Sequence, residues 1–282
     1  MFLLPAIVLM VVVLIYPILF SIHTMFYRWN YIQPHIPKVF IGFDNFSQAF
    51  SDEVFWKSLG NTFTYTLASV LIAFTLGFAL ALLMNRDFFG QHAARVAMML
   101  PILIVPVVIA LLWRILYNGQ FGIIPYVLHQ MGFLSQGQTP VAMPNYALAS
   151  VIVVSIWQVT PFYLLVLYAG LKSIPIEQYE VAKIDGANKL QEFAFITVPW
   201  MKPVITVVLL ITFIDAFKVF DHIYILTGGG PGNQTEVISY YVYRQSFNLF
   251  QVGYGSAVAF IVLVIECILT AVFLYSIARR RA

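Results

Sequence analysis

The sequence predicts an all-α integral membrane protein of six transmembrane helices in one domain, residues 1–282, and three observations predict it. Of 282 residues, 61% are hydrophobic and only 10% charged, with mean hydropathy +0.87. That leaves too few charged side chains to cover the surface of a soluble domain. Several uncharged runs reach the roughly 20 residues that cross a hydrocarbon core about 30 Å thick. These runs are continuous, whereas a membrane barrel needs alternating segments of about ten residues, so the buried backbone is satisfied within helices.

The predicted spans are about 2–26, 60–84, 96–117, 146–171, 203–226 and 256–277. No basic residue precedes the first, and its apolar stretch from Phe2 to Phe26 is too long for the core of a cleaved signal, so it reads as a retained helix. Trp56, Tyr117 and Tyr275 near span ends read as interfacial anchors. Arg114, at the end of the third span, reads as a side chain that snorkels to the headgroups. Cys267, the single cysteine, lies in the sixth span, which excludes an internal disulfide and a cysteine metal cluster.

The net charge of +3 matters through where it sits and gives no indication of nucleic acid. One side of the predicted bundle carries Arg86, Arg95, Lys172, Lys183, Lys189, Lys202, Arg279, Arg280 and Arg281; the other carries Arg28, Lys38, Lys57 and Arg244. Positive residues are retained on the cytoplasmic side, so both termini and the 172–202 loop are expected in the cytoplasm.

That loop reads as two short helices. Pro175 suits a first helical turn and Asp185-Gly186 stops the helix. Asn188 caps a second helix with Gln191 as its reciprocal partner, and Pro199 and Pro203 are expected to end the segment before the fifth span. Ala182 and Ala187 allow close approach, while Tyr179, Phe193 and Phe195 offer apolar anchors. Physics alone also allows a plain amphipathic connector on the headgroups.

The run Glu180-Val181-Ala182-Lys183-Ile184-Asp185-Gly186, followed after nine residues by Ile196-Thr197-Val198-Pro199, resembles the EAA loop of binding-protein-dependent ABC importer permeases. Val181 and Val198 depart from the usual Ala and Leu but keep the apolar character. The resemblance implies the fold of that permease type with a cytoplasmic coupling helix, and docking of Glu180, Ala182, Asp185, Gly186, Ala187, Ile196 and Pro199 onto a separate ATPase. A second block, Ile225-Leu226-Thr227-Gly228-Gly229-Gly230-Pro231-Gly232 followed by Tyr240-Tyr241-Val242-Tyr243, resembles the larger permease subunit of the maltose-type carbohydrate family, as does Phe43-Asp44-Asn45-Phe46. The glycine run is followed by no Lys-Ser or Lys-Thr and ends a span, so it reads as a helix stop and tight turn, not a phosphate cradle.

Ionisable residues within spans are costly and point to function or to mutual pairing. Asp215, Lys218 and His222 are expected on one helical face, with Lys218 able to neutralise Asp215 or Asp221. Two roles fit that stripe: a packing ion pair, or a site where polar groups bond hydroxyls and aromatic faces stack on sugar rings. Carried over by position, the resemblance implies sugar contacts at Trp157 to Phe162 and Thr212 to Val219, giving Gln158, Phe162, Thr212, Asp215 and Lys218 as substrate candidates. Ile156, Ala216 and Val219 stand where the maltose protein has polar amides, which argues against a maltodextrin. Glu266, mid-span, needs a partner that sequence does not name.

No Walker loop, metalloprotease, nucleophile-elbow or metal motif is present, so no catalytic residue and no cofactor is expected in this chain. The resemblance implies ATP and Mg on the ATPase, a second homologous permease, an ATPase dimer, an extracytoplasmic sugar-binding protein and the bacterial inner membrane as surroundings. The rival reading is an ion-coupled secondary transporter or channel using the Asp/Lys stripe; a structural scaffold is the third.

Overall fold

The computed structural model describes residues 4–32, 37–86 and 88–278; Arg279, Arg280 and Arg281, three of the expected cytoplasmic cations, lie outside these. Among the described residues five helices are long and apolar enough to cross a membrane, and a bent pair makes six where its two halves count as one span.

The first span is Leu4–Met10, a wider turn at Val11–Ile15 and Tyr16–Thr24. Almost all its side chains are exposed, and Pro17, Ile18, Ser21 and Ile22 share a groove with Ser256, Ala259, Phe260 and Leu263 of the sixth span, Val252–Ala278. Asn45 clips its C-terminal end: the buried amide donates to the carbonyls of Met25 at 2.7 Å and Tyr27 at 3.1 Å. A short antiparallel pair, β1 (Tyr27–Arg28) and β2 (Val39–Phe40), follows.

The second span, Glu53–Met84, starts before the predicted residue 60 because Asp52, in extended backbone, accepts from the Val54 N–H at 2.7 Å and caps the helix. It packs along the fourth span, Ala147–Lys172. At Gly77 a Cβ would stand 2.3 Å from the Cβ of Tyr163, so the approach requires glycine.

Two predicted spans are not single helices. The third is Gln91–Leu103 and Pro106–Leu116, meeting at 100°. Val105 precedes proline and is extended, at φ −64° and ψ 145°, as the proline ring demands of its predecessor. The fifth runs unbroken from Lys189 to Phe217, breaks at Lys218 to Phe220 and resumes as Asp221–Leu226. Pro199 and Pro203 therefore do not end the loop segment. A wider turn at Phe193–Thr197, closed by the Val198 N–H on the Phe193 carbonyl, shifts the bonding register, and Pro199 falls in the turn just after it.

Tyr117 is not an interfacial anchor. It is buried, and its hydroxyl donates to the Ser150 carbonyl at 3.1 Å. Trp56 and Tyr275 are exposed.

Candidate functional site

A cavity of about 410 Å³ opens where the fifth span breaks and the third bends. Non-helical backbone survives at membrane depth only where it is buried in protein or lines a cavity, and discontinuous helices commonly build transporter binding sites. The second span contributes Tyr65 and Ser69; the fourth, Ser155, Gln158 and Phe162; the fifth and its break, Thr212, Asp215, Lys218, Phe220, Asp221 and His222. The break is held in part by the Ser239 hydroxyl, which donates to the Val219 carbonyl.

All five substrate candidates, Gln158, Phe162, Thr212, Asp215 and Lys218, line this one cavity. They are not equally free. The buried Thr212 hydroxyl is engaged by the Val208 carbonyl at 2.8 Å and the Tyr163 hydroxyl at 2.5 Å. The oxygen of the Gln158 amide has no hydrogen-bond partner among the described residues.

The expected pairing of Lys218 with Asp215 or Asp221 is not what the fold provides. The helix ends at Phe217, Lys218 has left helical geometry at φ −94° and ψ 11°, and its Nζ lies 3.0 Å from Oε1 of Glu266. Glu266 thus has its partner across the gap between fifth and sixth spans, and Asp215 and Asp221 form no ion pair among the described residues. His222 sits on the short helix beyond the break instead of on one face with Asp215. Sequence reasoning missed the second span's contribution, although polar residues at Ser58, Thr62, Tyr65, Thr66 and Ser69, spaced three or four apart in an apolar helix, mark a buried face.

The 172–202 loop is built as a rigid corner. Pro175 stands just before the helix Ile176–Ile184 and not inside its first turn. Gly186 sits at φ +78°, the Ala187 N–H reaches the Ala182 carbonyl at 2.9 Å and the Gly186 N–H reaches Lys183 at 3.1 Å. These two bonds form a Schellman stop, which accounts for the glycine. Asn188 and Gln191 then form a reciprocal capping box with bonds of 2.9 and 2.8 Å. Two of the three expected apolar anchors turn inward: Tyr179 bonds Thr197 at 3.0 Å, and Phe193 lies against Phe78. Ile196 packs beside Tyr179. The outward apolar side chains include Val181, Ile184, Leu190 and Phe195, at 57, 85, 76 and 76% exposure, with Ile176 and Trp200 also exposed. Glu180, Asp185 and Pro199 are exposed, and the Glu180 carboxylate has no hydrogen bond or ion pair among the described residues.

Five long apolar helices and a bent pair around a cavity, with a solvent-exposed loop at one end, define a multi-pass membrane permease. A family model described as binding-protein-dependent transport system inner membrane component matches residues 73–282, and the chain belongs to that family. It is 34% identical to the sulfoquinovosyl glycerol transport system permease SmoG of Agrobacterium fabrum, over 96% of this chain and 87% of the relative. It is 35% identical to the trehalose/maltose transport system permease MalF of Thermococcus litoralis, over 94% of this chain and 90% of the relative. A crystal structure of a bacterial ABC transporter involved in the import of the acidic polysaccharide alginate superposes with TM-score 0.85 and 26% identity, covering 99% of this chain and 94% of that one.

Proposed function

We propose that this chain is one permease subunit of an ATP-driven, binding-protein-dependent importer of a sugar or related polyol in the bacterial inner membrane. It pairs with a second, homologous permease, and each supplies half of the pathway. An ATPase dimer carrying ATP and Mg binds at the cytoplasmic ends, one copy gripping the loop at Glu180, Val181 and Ile184. A sugar-binding protein delivers cargo to the outer loops around Phe43 and Gly228. Both termini face the cytoplasm.

The observation that carries this reading is the continuous helix Lys189–Phe217, which joins the capped loop directly to the cavity wall. At 1.5 Å per residue it is roughly 40 Å long. A displacement imposed at Asn188 by closing ATPases therefore reaches Thr212 and Asp215 through one rigid rod, and the break beyond Phe217 is where the motion is absorbed. Cargo held at the break can then face either side in turn.

The test is co-purification of the solubilised chain from its native membrane, with Glu180 and Gly186 intact or replaced. An ATPase and a second permease that accompany only the intact chain are the expected result. A chain that emerges alone in both forms, and that moves cargo without ATPase in an uncoupler-sensitive manner, establishes the ion-coupled reading in its place.

A further inference from the structure

We infer that the cavity takes a hydroxyl-bearing cargo that is neutral or cationic and excludes an acidic one. This rests on the importer reading above and narrows its cargo.

Among the described residues the carboxylates of Asp215 and Asp221 line the cavity with no ion pair. Among the described residues Lys218 is the one Lys or Arg in the wall, and its charge is directed to Glu266 at 3.0 Å. An acidic cargo would thus meet two uncompensated like charges and a cation already neutralised. Clefts lined by one sign of charge with low-dielectric walls focus their field and repel ions of that sign. The hydrogen-bonding inventory agrees. Asp215, Asp221 and the unpartnered Gln158 oxygen are acceptors, and they need donors. A sugar hydroxyl donates; a carboxylate or sulfonate cannot. His222, only 6% exposed, has its Nδ1 3.4 Å from the Tyr65 hydroxyl and its Nε2 without a partner among the described residues. A hydroxyl can answer either a donor or an acceptor at that nitrogen. Phe162 and Phe220 supply apolar faces in the same wall.

The experiment reads the cavity's field without knowing the cargo. In a Cys267→Ser background of the assembled complex, Val219→Cys and, separately, Ala216→Cys place a thiol in the wall. Each is treated with the cationic reagent MTSET and the anionic reagent MTSES, whose sulfenyl sulfur is attacked by the thiolate to give a mixed disulfide with release of methanesulfinate, and rates are followed on the labelled peptide by mass spectrometry without reductant. Relative to free cysteine, the cationic reagent is expected to be favoured by roughly tenfold or more at both positions. Asp215→Asn with Asp221→Asn should remove most of that preference, and Glu266→Gln, which frees Lys218, should reduce it. A ratio at the free-thiol value, a preference for the anionic reagent, or a preference that survives the double asparagine variant would each overturn the inference. Two thiol positions guard against one variant misfolding. The ratio is measured whether or not an ATPase co-purifies, so loss of the importer reading and loss of the charge preference are separate outcomes.

Discussion

The two ends of the bundle are finished in opposite ways. At one end, the segment from Thr227 to Gln251 is stitched to the start of the second span. Asp52 accepts from the Tyr241 hydroxyl at 2.5 Å and Tyr254 at 3.3 Å, Lys57 donates to the Gly232 carbonyl at 3.0 Å, and the Ile238 N–H donates to Thr62 at 2.8 Å. Glu236, 1% exposed, pairs with Arg244 at 2.9 Å. At the other end, the loop around Glu180 satisfies its backbone through the Schellman stop and capping box but leaves Val181, Ile184 and Glu180 turned outward. The Thr227 to Gln251 segment is braced by side chains of its own chain. The loop is shaped by the chain and left for something else to cover.

That contrast predicts a graded series in which stability loss falls from one end to the other. Asp52→Ala should be the most damaging, removing a helix cap and a shared charged acceptor at once, a loss of about 3 kcal/mol seen as a lowered Tm of the purified chain in detergent. Arg244→Met should come next, at about 2 kcal/mol, because it strands a buried carboxylate. Glu236→Gln should cost less than Arg244→Met, since burial already raises the Glu236 carboxyl against the opposing pull of Arg244. A carboxyl raised in the folded state contributes stability in acid that is lost as pH rises through its folded value. Lowering pH from neutral toward the ordinary carboxyl value of 4.5 should therefore move the Tm difference between wild type and Glu236→Gln in favour of wild type. Gly186→Ala should cost about 1 kcal/mol by placing a Cβ at positive φ. Ile184→Ser and Glu180→Gln should change Tm least, within about 0.5 kcal/mol, because they touch nothing in the chain. The same two variants should retain the least ATPase on co-purification. An Ile184→Ser chain that melts as early as Asp52→Ala would erase the distinction between the ends.

The spans were legible because composition and run length dictate membrane crossing, and the loop because its capping residues carry their geometry locally. Asn188 with Gln191 needs only three residues of context. The break after Phe217 was not legible: Lys218, Val219 and Phe220 contain neither proline nor glycine, and their departure from the helix depends on the distant Ser239 and Glu266. The same non-local origin hid the partner of Lys218. The third-span bend did have a local signal, Pro101 and Pro106 within one apolar run, but hydropathy averages across it.

The first span adds a consequence for synthesis. It lies against the sixth span and is otherwise almost bare, so this helix, made before the sixth, must wait for it before it gains that neighbour. At about 5–20 residues per second, the roughly 230 residues between them occupy some 10–50 s. Through that interval the helix is held in place by lipid and then by the clip from Asn45, and a chain truncated before Val252 would leave it without a companion in its own subunit.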